Sequence, residues 1–226
     1  MTRVIQIKLG FSNAYLIQGR KTILVDTGSP GEALKILRAL SRLGIQPGDF
    51  SLILHTHAHF DHAGSTLALK RLIAVPVAVH TNDANMLARG RMNHLTPTGF
   101  EARLLMPFLS GQTFSGIKAD VLIKEEIGLQ DFGIEGKIIF TPGHTAGSIS
   151  VLLDNSEAII GDVMMGGYLG GRLMGSRPNY HYFAEDLSAI HASIKKIMVS
   201  APKKLYVGHG GPLLPKDVLE RFSMVI

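Results

Sequence analysis

The sequence predicts an α/β protein built of two similar halves, with two sheets facing each other and helices packed outside them. Three observations carry this. Short apolar runs of strand type alternate with stretches of helical period. The order strand, aspartate, helix, strand, histidine occurs twice, with 31 residues from Asp26 to His57 and 47 from Asp162 to His209. No Pro/Gly/Ser linker separates the two occurrences, so residues 1–226 read as one domain, divided at about 1–118 and 119–226.

VIQIKL (4–9) and AYLIQ (14–18) read as paired strands, and TILVD (22–26) as a short strand ending on Asp26. Ser29-Pro30-Gly31-Glu32 has the form of an N-cap, a proline at the first helical position and a capping-box glutamate. A helix is expected to follow, with Ala33, Leu34, Leu37, Leu40 and Leu43 on one face and Gly44 at its end. SLIL (51–54) is a buried-type strand that runs into HTHAHFDHAG (55–64). HAGSTLALKRL then reads as a helix, PVAVH as a strand and NDANMLARG as a short helix.

Residues 91–117 hold two prolines, three phenylalanines and several leucines without a clean period, as in a lid, a partner patch or an irregular connection. In the second half KIIFT, SISVLL and EAIIGD are strands, the last ending on Asp162. A helix carries Leu187, Ile190, Ile194 and Ile197 on one face, and KKLYVGHG is a strand ending at His209.

With 46% hydrophobic and 18% charged residues the composition is that of a globular chain. The net charge of +5 comes from scattered lysines and arginines without interleaved aromatics, so no nucleic acid is expected as a partner. No stretch approaches the roughly 20 apolar residues that span a bilayer, and MTRVIQIKLGFSNAYLIQG lacks the form of a signal peptide. The expectation is a cytoplasmic protein without a membrane partner, acting on a small molecule, with a homodimer as an open alternative. There is no cysteine, so any metal must be held by nitrogen and oxygen.

Four of the ten histidines lie within residues 55–62. His57 and His59, two apart in an extended loop at a strand end, point to the same side. Asp61 and His62 follow at a helix start, where the dipole favours a carboxylate. So many donors in one loop exceed the needs of a single tetrahedral ion, which points to two. His144 in TPGHTAG, Asp162 in IIGD and His209 in YVGHGGP, each at or beside a strand end, are the distal partners. Two ions roughly 3.5–4 Å apart, bridged by a carboxylate and a hydroxide, form a hydrolytic site that makes its own nucleophile. Among the other histidines, His55 and His80 read as strand-end residues. His191 reads as a core residue on a buried helical stripe, and His94 as solvated or on a pocket wall.

THAHFDH followed in order by TPGHTAGS, GD and GHG, with ILVDTG upstream, resembles the metallo-β-lactamase-fold hydrolase superfamily over nearly the whole chain. The resemblance implies an αββα sandwich of two mixed sheets with the site at one edge. It implies that His57, His59 and His144 hold the first metal, that Asp61, His62 and His209 hold the second, and that Asp162 bridges. Asp61 would also orient the attacking water, and Asp26 would support the cluster from behind. The implied cofactor is two zinc ions, with iron or manganese as alternatives.

The family's antibiotic-hydrolysing enzymes are usually exported and replace the bridging aspartate by cysteine or serine, whereas this chain keeps Asp162. Its nucleases carry large insertions. Its glyoxalase II-like thioesterases add a helical domain larger than the seventeen residues after His209. Its lactonases share H-x-H-F-D-H-A-G but have a tyrosine three residues after the bridging aspartate. Met165 stands there, with Tyr168 the nearest tyrosine.

The expected chemistry is attack of a metal-bridging hydroxide on an ester, lactone or thioester carbonyl, in the lactonase and glyoxalase II-like branch and not as a true β-lactamase. An iron-dependent sulfur dioxygenase or a phosphodiesterase is the alternative. A purely metal- or partner-binding module is disfavoured because every ligand is present. Residues 166–183 would set specificity, with Tyr168 as a catalytic hydrogen-bond donor and Arg172 or Arg177 as a clamp for a substrate anion.

Overall fold

The computed structural model describes residues 2–225. β1 (Arg3–Lys8), β2 (Asn13–Gln18) and β3 (Thr22–Val25) form an antiparallel meander, as short turns between apolar runs require. A parallel neighbour needs a crossover instead, and helix α1 (Ala33–Leu43) fills the one between β3 and β4 (Phe50–Leu54). α2 (Phe60–Ala63) and α3 (Thr66–Ile73) then lead to β5 (Val77–His80), and α4 (Ala84–Arg89) and α5 (Phe100–Leu109) lead to β6 (Val121–Ile123). The sheet order is β1-β2-β3-β4-β5-β6, parallel from β3 onward.

The second sheet begins with β7 (Ile127–Gly128), β8 (Gly136–Phe140), β9 (Ile149–Leu153) and β10 (Glu157–Ile159), all antiparallel. A separate ribbon, β11 (Met165–Tyr168) and β12 (Leu173–Asn179), is inserted before α6 (Leu187–Val199). β13 (Lys204–Tyr206) then pairs parallel with β10, giving the order β13-β10-β9-β8-β7, and α7 (Pro215–Arg221) follows. Two antiparallel pairings and then a parallel one thus recur in β1–β4 and in β8, β9, β10 and β13.

Alternation along the strands makes the layers. Tyr15, Ile17, Ile23, Val25, Leu52 and Leu54 meet Ile138, Ile149, Val151, Ile159 and Tyr206 between the sheets. The opposite faces of the same strands, Leu16, Leu24 and Ile53, pack on Ile36, Leu40, Leu69 and Ile73 of α1 and α3. Ile139, Ala158 and Leu205 pack on Ile190, Ile194 and Ile197 of α6. This is an αββα sandwich.

Several elements differ from expectation. α1 begins at Ala33, because Ser29–Gly31 form a turn in which the Glu32 carboxylate accepts from the Ser29 N–H at 2.9 Å and the Gly10 N–H at 2.6 Å. Its buried face is Ile36 and Leu40, while Leu34 and Leu43 are exposed. Residues 62–72 are not one helix. Gly64 packs so closely on Pro30 and the Phe60 carbonyl that a Cβ would collide, and the chain breaks there between α2 and α3. Residues 91–117 contain α5, whose Ala102 packs inward while Phe100, Leu104 and Phe108 face solvent. Apolar residues on both faces and Pro107 inside the helix erase the period. β6 still belongs to the first sheet, so the halves divide between Ile123 and Ile127, slightly later than residue 118. Leu187 is exposed, and His191 is half-buried with its Nε2 at 2.8 Å from the Tyr180 hydroxyl rather than in the core.

Candidate metal centre

The C-terminal ends of β3, β4, β8, β10 and β13 open onto the same edge of the sandwich, and each is followed by a polar residue of the cluster. Asp26, directly after β3, has φ 59°, a left-handed conformation that costs a non-glycine residue about 1–3 kcal/mol. The turn delivers a buried carboxylate that accepts from the Thr56 N–H at 2.9 Å, the Thr56 hydroxyl at 2.7 Å and His62 Nδ1–H at 2.9 Å. It thereby holds the loop after β4 and orients one of its imidazoles. His55 is fully buried beside it, with Nδ1 at 3.6 Å from the carboxylate and Nε2 at 2.9 Å from the Thr66 hydroxyl. It belongs to the scaffold.

Backbone carbonyls set two further imidazoles. His144 Nδ1–H donates to the Phe183 carbonyl at 2.8 Å, and His209 Nδ1–H to the Phe11 carbonyl at 2.7 Å. A carbonyl only accepts, so Nδ1 carries the proton in both and Nε2 is free to bind a cation. Asp83 ties the two histidine-bearing loops together, accepting from the Ala58 N–H and the Thr145 hydroxyl, each at 2.9 Å. Burial pushes its carboxyl up to about 6.

Three ligand atoms in each of two groups lie within 4.8 Å of one another: His57, His59 and His144, and Asp61, His62 and His209. Asp162 lies between them. One of its oxygens, Oδ2, is 3.2 Å from His209 Nε2, 3.3 Å from His62 Nε2, 3.5 Å from His144 Nε2 and 3.7 Å from His57 Nε2. Its other oxygen and His57 Nε2 are buried without any hydrogen-bond partner. Buried polar atoms are almost always satisfied, and a divalent cation would satisfy both. His59 Nδ1 and His144 Nε2, 2.9 Å apart, fit a shared cation equally well. The all-nitrogen-and-oxygen donor set suits zinc, iron or manganese.

Electrostatics separates the imidazoles into two kinds. Burial among other imidazoles drives His57 far down and holds His59 and His144 at about 3, so these three stay neutral, the form in which an imidazole can take a cation. Burial also opposes charge on His62 and His209. The carboxylates of Asp162 and Asp61, joined by Asp26 at His62, overcome it and raise both. Asp162 itself would be raised by burial, but His209, His62 and His181 bring it well below the usual carboxylate range. Gly208 completes the cradle, since a Cβ there would strike the Asp162 carboxylate and the His62 ring.

His181, beyond the inserted ribbon, is a residue that sequence reasoning missed. Its Nε2 is 3.3 Å from Asp162 Oδ2, its ring packs edge-on against His144, and burial holds it at about 3. It forms a further ligand-type group with His144 and Asp162 and lines a cavity over the cluster. No spacing rule singles it out. The only available signal was a histidine within the segment that follows Asp162.

The other candidates fall elsewhere. Tyr168 is half-buried and does not line that cavity, whereas Tyr182 does, its hydroxyl accepting from the Leu169 N–H at 2.9 Å. Arg172 stands at the cavity's edge, already donating to the Gly10 carbonyl at 3.0 Å and lying 5.2 Å over the Phe11 ring. Arg177 lies in a different, charged depression with Asp217 and Arg221. His80 is buried, stacked on Phe140, and His94 is exposed.

A histidine–aspartate cluster at the open edge of an αββα sandwich defines a class of metal-binding folds. The family model described as the metallo-beta-lactamase superfamily matches residues 7–209, and the chain belongs to that superfamily. A probable metallo-hydrolase of Methanocaldococcus jannaschii is 33% identical over 205 residues, covering 88% of this chain and 87% of the relative. Another, YqgX of Bacillus subtilis, is 33% identical over 163 residues, 70% of this chain and 69% of the relative. In solved structures the fold matches the B3 metallo-beta-lactamase BLEG-1, with a TM-score of 0.73, 24% identity and 99% of both chains covered. Among the described residues no helix is long and apolar enough to cross a membrane.

Proposed function

We propose that this chain is a metal-dependent hydrolase that holds two divalent ions, zinc by preference, and cleaves a carboxylic ester, lactone or thioester. The observation that carries the reading is the pair of three-residue donor sets flanking one carboxylate, His57/His59/His144 and Asp61/His62/His209 around Asp162. The names of the relatives, probable metallo-hydrolases, support the reaction type. When bound, such ions supply water activated at neutral pH and polarise the carbonyl oxygen.

The chain's own residues do the rest. Asp61 lies on the cavity wall with its Oδ2 at 3.5 Å from His209 Nε2, and we assign to it the orientation of the attacking water and the uptake of its proton. His181, on the same wall, is assigned a hydrogen bond to the substrate carbonyl or leaving atom. Apolar side chains around them exclude competing water. Tyr168 drops out of this assignment.

Metal analysis should return two zinc per chain, with turnover in a panel of lactones, esters and thioesters. Asp162→Ala should lose metal and activity together, activity falling by more than about a thousandfold. One iron per chain, with oxygen uptake on a persulfide and no hydrolysis, would overturn the reading in favour of sulfur oxidation. Turnover of phosphodiesters alone would move it to that class.

A further inference from the structure

The cavity over the metal centre joins a polar floor to mostly apolar walls. Its volume is about 350 Å³. The floor is the cluster itself, through His59, Asp61, Asp162, His181 and His209. The walls are apolar: Leu105 and Leu109 come down from α5, Leu95 and Phe183 form the small core on which α5 rests, and Met165 and Phe60 close the sides. Among the lining residues Arg172 is the one cation outside the cluster, and its guanidinium is already engaged with the Gly10 carbonyl and the Phe11 ring. Nothing on the walls would neutralise a second charge on a substrate, and a charged group drawn into such walls without a partner is strongly disfavoured.

We infer that the substrate is an acyl compound whose uncharged, apolar chain of about eight to ten carbons lies beneath α5 while its carbonyl meets the cluster. The inference rests on the hydrolase reading and adds the substrate's shape and polarity to it. At roughly 30 Å³ per heavy atom, the share of a water in the liquid, the cavity holds about twelve heavy atoms. The carbonyl and the atom bonded to it take part of that space, and the rest sets the chain length. Each methylene moved from water onto these walls strengthens binding about three- to fourfold. α5 therefore acts as a roof that selects by length.

Two measurements test this on the metal-loaded protein. In the first, p-nitrophenyl esters from acetyl to dodecanoyl are compared. We expect kcat/KM to rise about threefold per methylene to a maximum near eight to ten carbons and then to fall. In the second, binding of methyl ketones from 2-butanone to 2-nonanone, which carry a carbonyl and no leaving group, is followed by calorimetry. Affinity should climb with the same step. Leu105→Trp, which fills the space beneath α5, should move the ester maximum to chains shorter by several carbons and end the rise in ketone affinity correspondingly earlier, and Leu109→Trp is the second variant should the first fail to fold.

Flat ketone affinities, or an acetyl ester preferred over longer ones, would overturn the inference even if hydrolysis is brisk. A ketone gradient without turnover of any ester, lactone or thioester would instead sink the hydrolase reading and leave the apolar-chain site standing.

Discussion

Asp162 Oδ2 has imidazole nitrogens of five histidines within 3.7 Å, and the state of those rings and of the adjoining His59 shapes the protein's response to acid. His59, His144 and His181 titrate at about 3 in the fold because burial disfavours their charged forms, against about 6.5 in an unfolded chain. Between these values the unfolded state binds more protons than the folded one, so stability falls as pH drops from 6.5 towards 3. The slope is on the order of 1 kcal/mol per pH unit for each group. His62 and His209 oppose this. Their raised values give stability that is full below about 6.5 and lost as pH climbs through them. The lowered imidazoles, with His57 added, outnumber the raised ones. Urea midpoints of the metal-free protein should therefore decrease from pH 7 to pH 5, and a midpoint that rises on acidification would contradict the neutral-imidazole arrangement. At this scale the ligand string was legible because its spacing is local. His181 was not, since its approach to Asp162 depends on a ribbon that carries the chain out and back.

Elements position these residues by close contact as much as by hydrogen bonds. The stretch after β13 passes so near Asp162 that Gly208 has no room for a side chain. Gly208→Ala should push the carboxylate and His62 apart and weaken metal affinity by about 10–100-fold. The far-UV circular dichroism should stay unchanged, and full metal occupancy in this variant at micromolar zinc would refute the crowding argument. β2 to β5, β9 and β10 were readable in sequence because both of their faces are largely buried, which leaves unbroken apolar runs, whereas the short or exposed β6, β7, β11 and β12 were not read. α1 was expected to start at Pro30, three residues early, and was rotated, because leucine content suggested a face that Ile36 in fact leads. α5 was illegible because a roof over an apolar cavity has apolar residues below it and, here, Phe100, Leu104 and Phe108 above it as well.

Across the whole molecule the two halves meet at the cluster. Asn13 and Tyr15 of β2 donate to the carbonyl of Val207, beside His209, at 2.9 and 2.6 Å, so the seam is stitched directly next to the ligands. Ions held at that seam should stabilise the entire fold rather than one loop. At a thousandfold excess over the dissociation constant the linkage amounts to about 4 kcal/mol, and chelation should lower Tm by on the order of 10 °C in a single cooperative transition. A Tm indifferent to chelator would show that the halves do not share the metal.

The repeated strand order was visible from sequence because Asp26 and Asp162 end equivalent apolar runs. Which histidines would converge was not, since that depends on how the sheets face. Each donor set takes two residues from the first half and one from the second. During synthesis, then, the HTHAHFDH loop leaves the ribosome long before His144 and His209 exist, and it has only partial sets to offer. The first set is complete only once His144 has been made and the second only once His209 has, so a centre that held both ions would report that the two halves have docked.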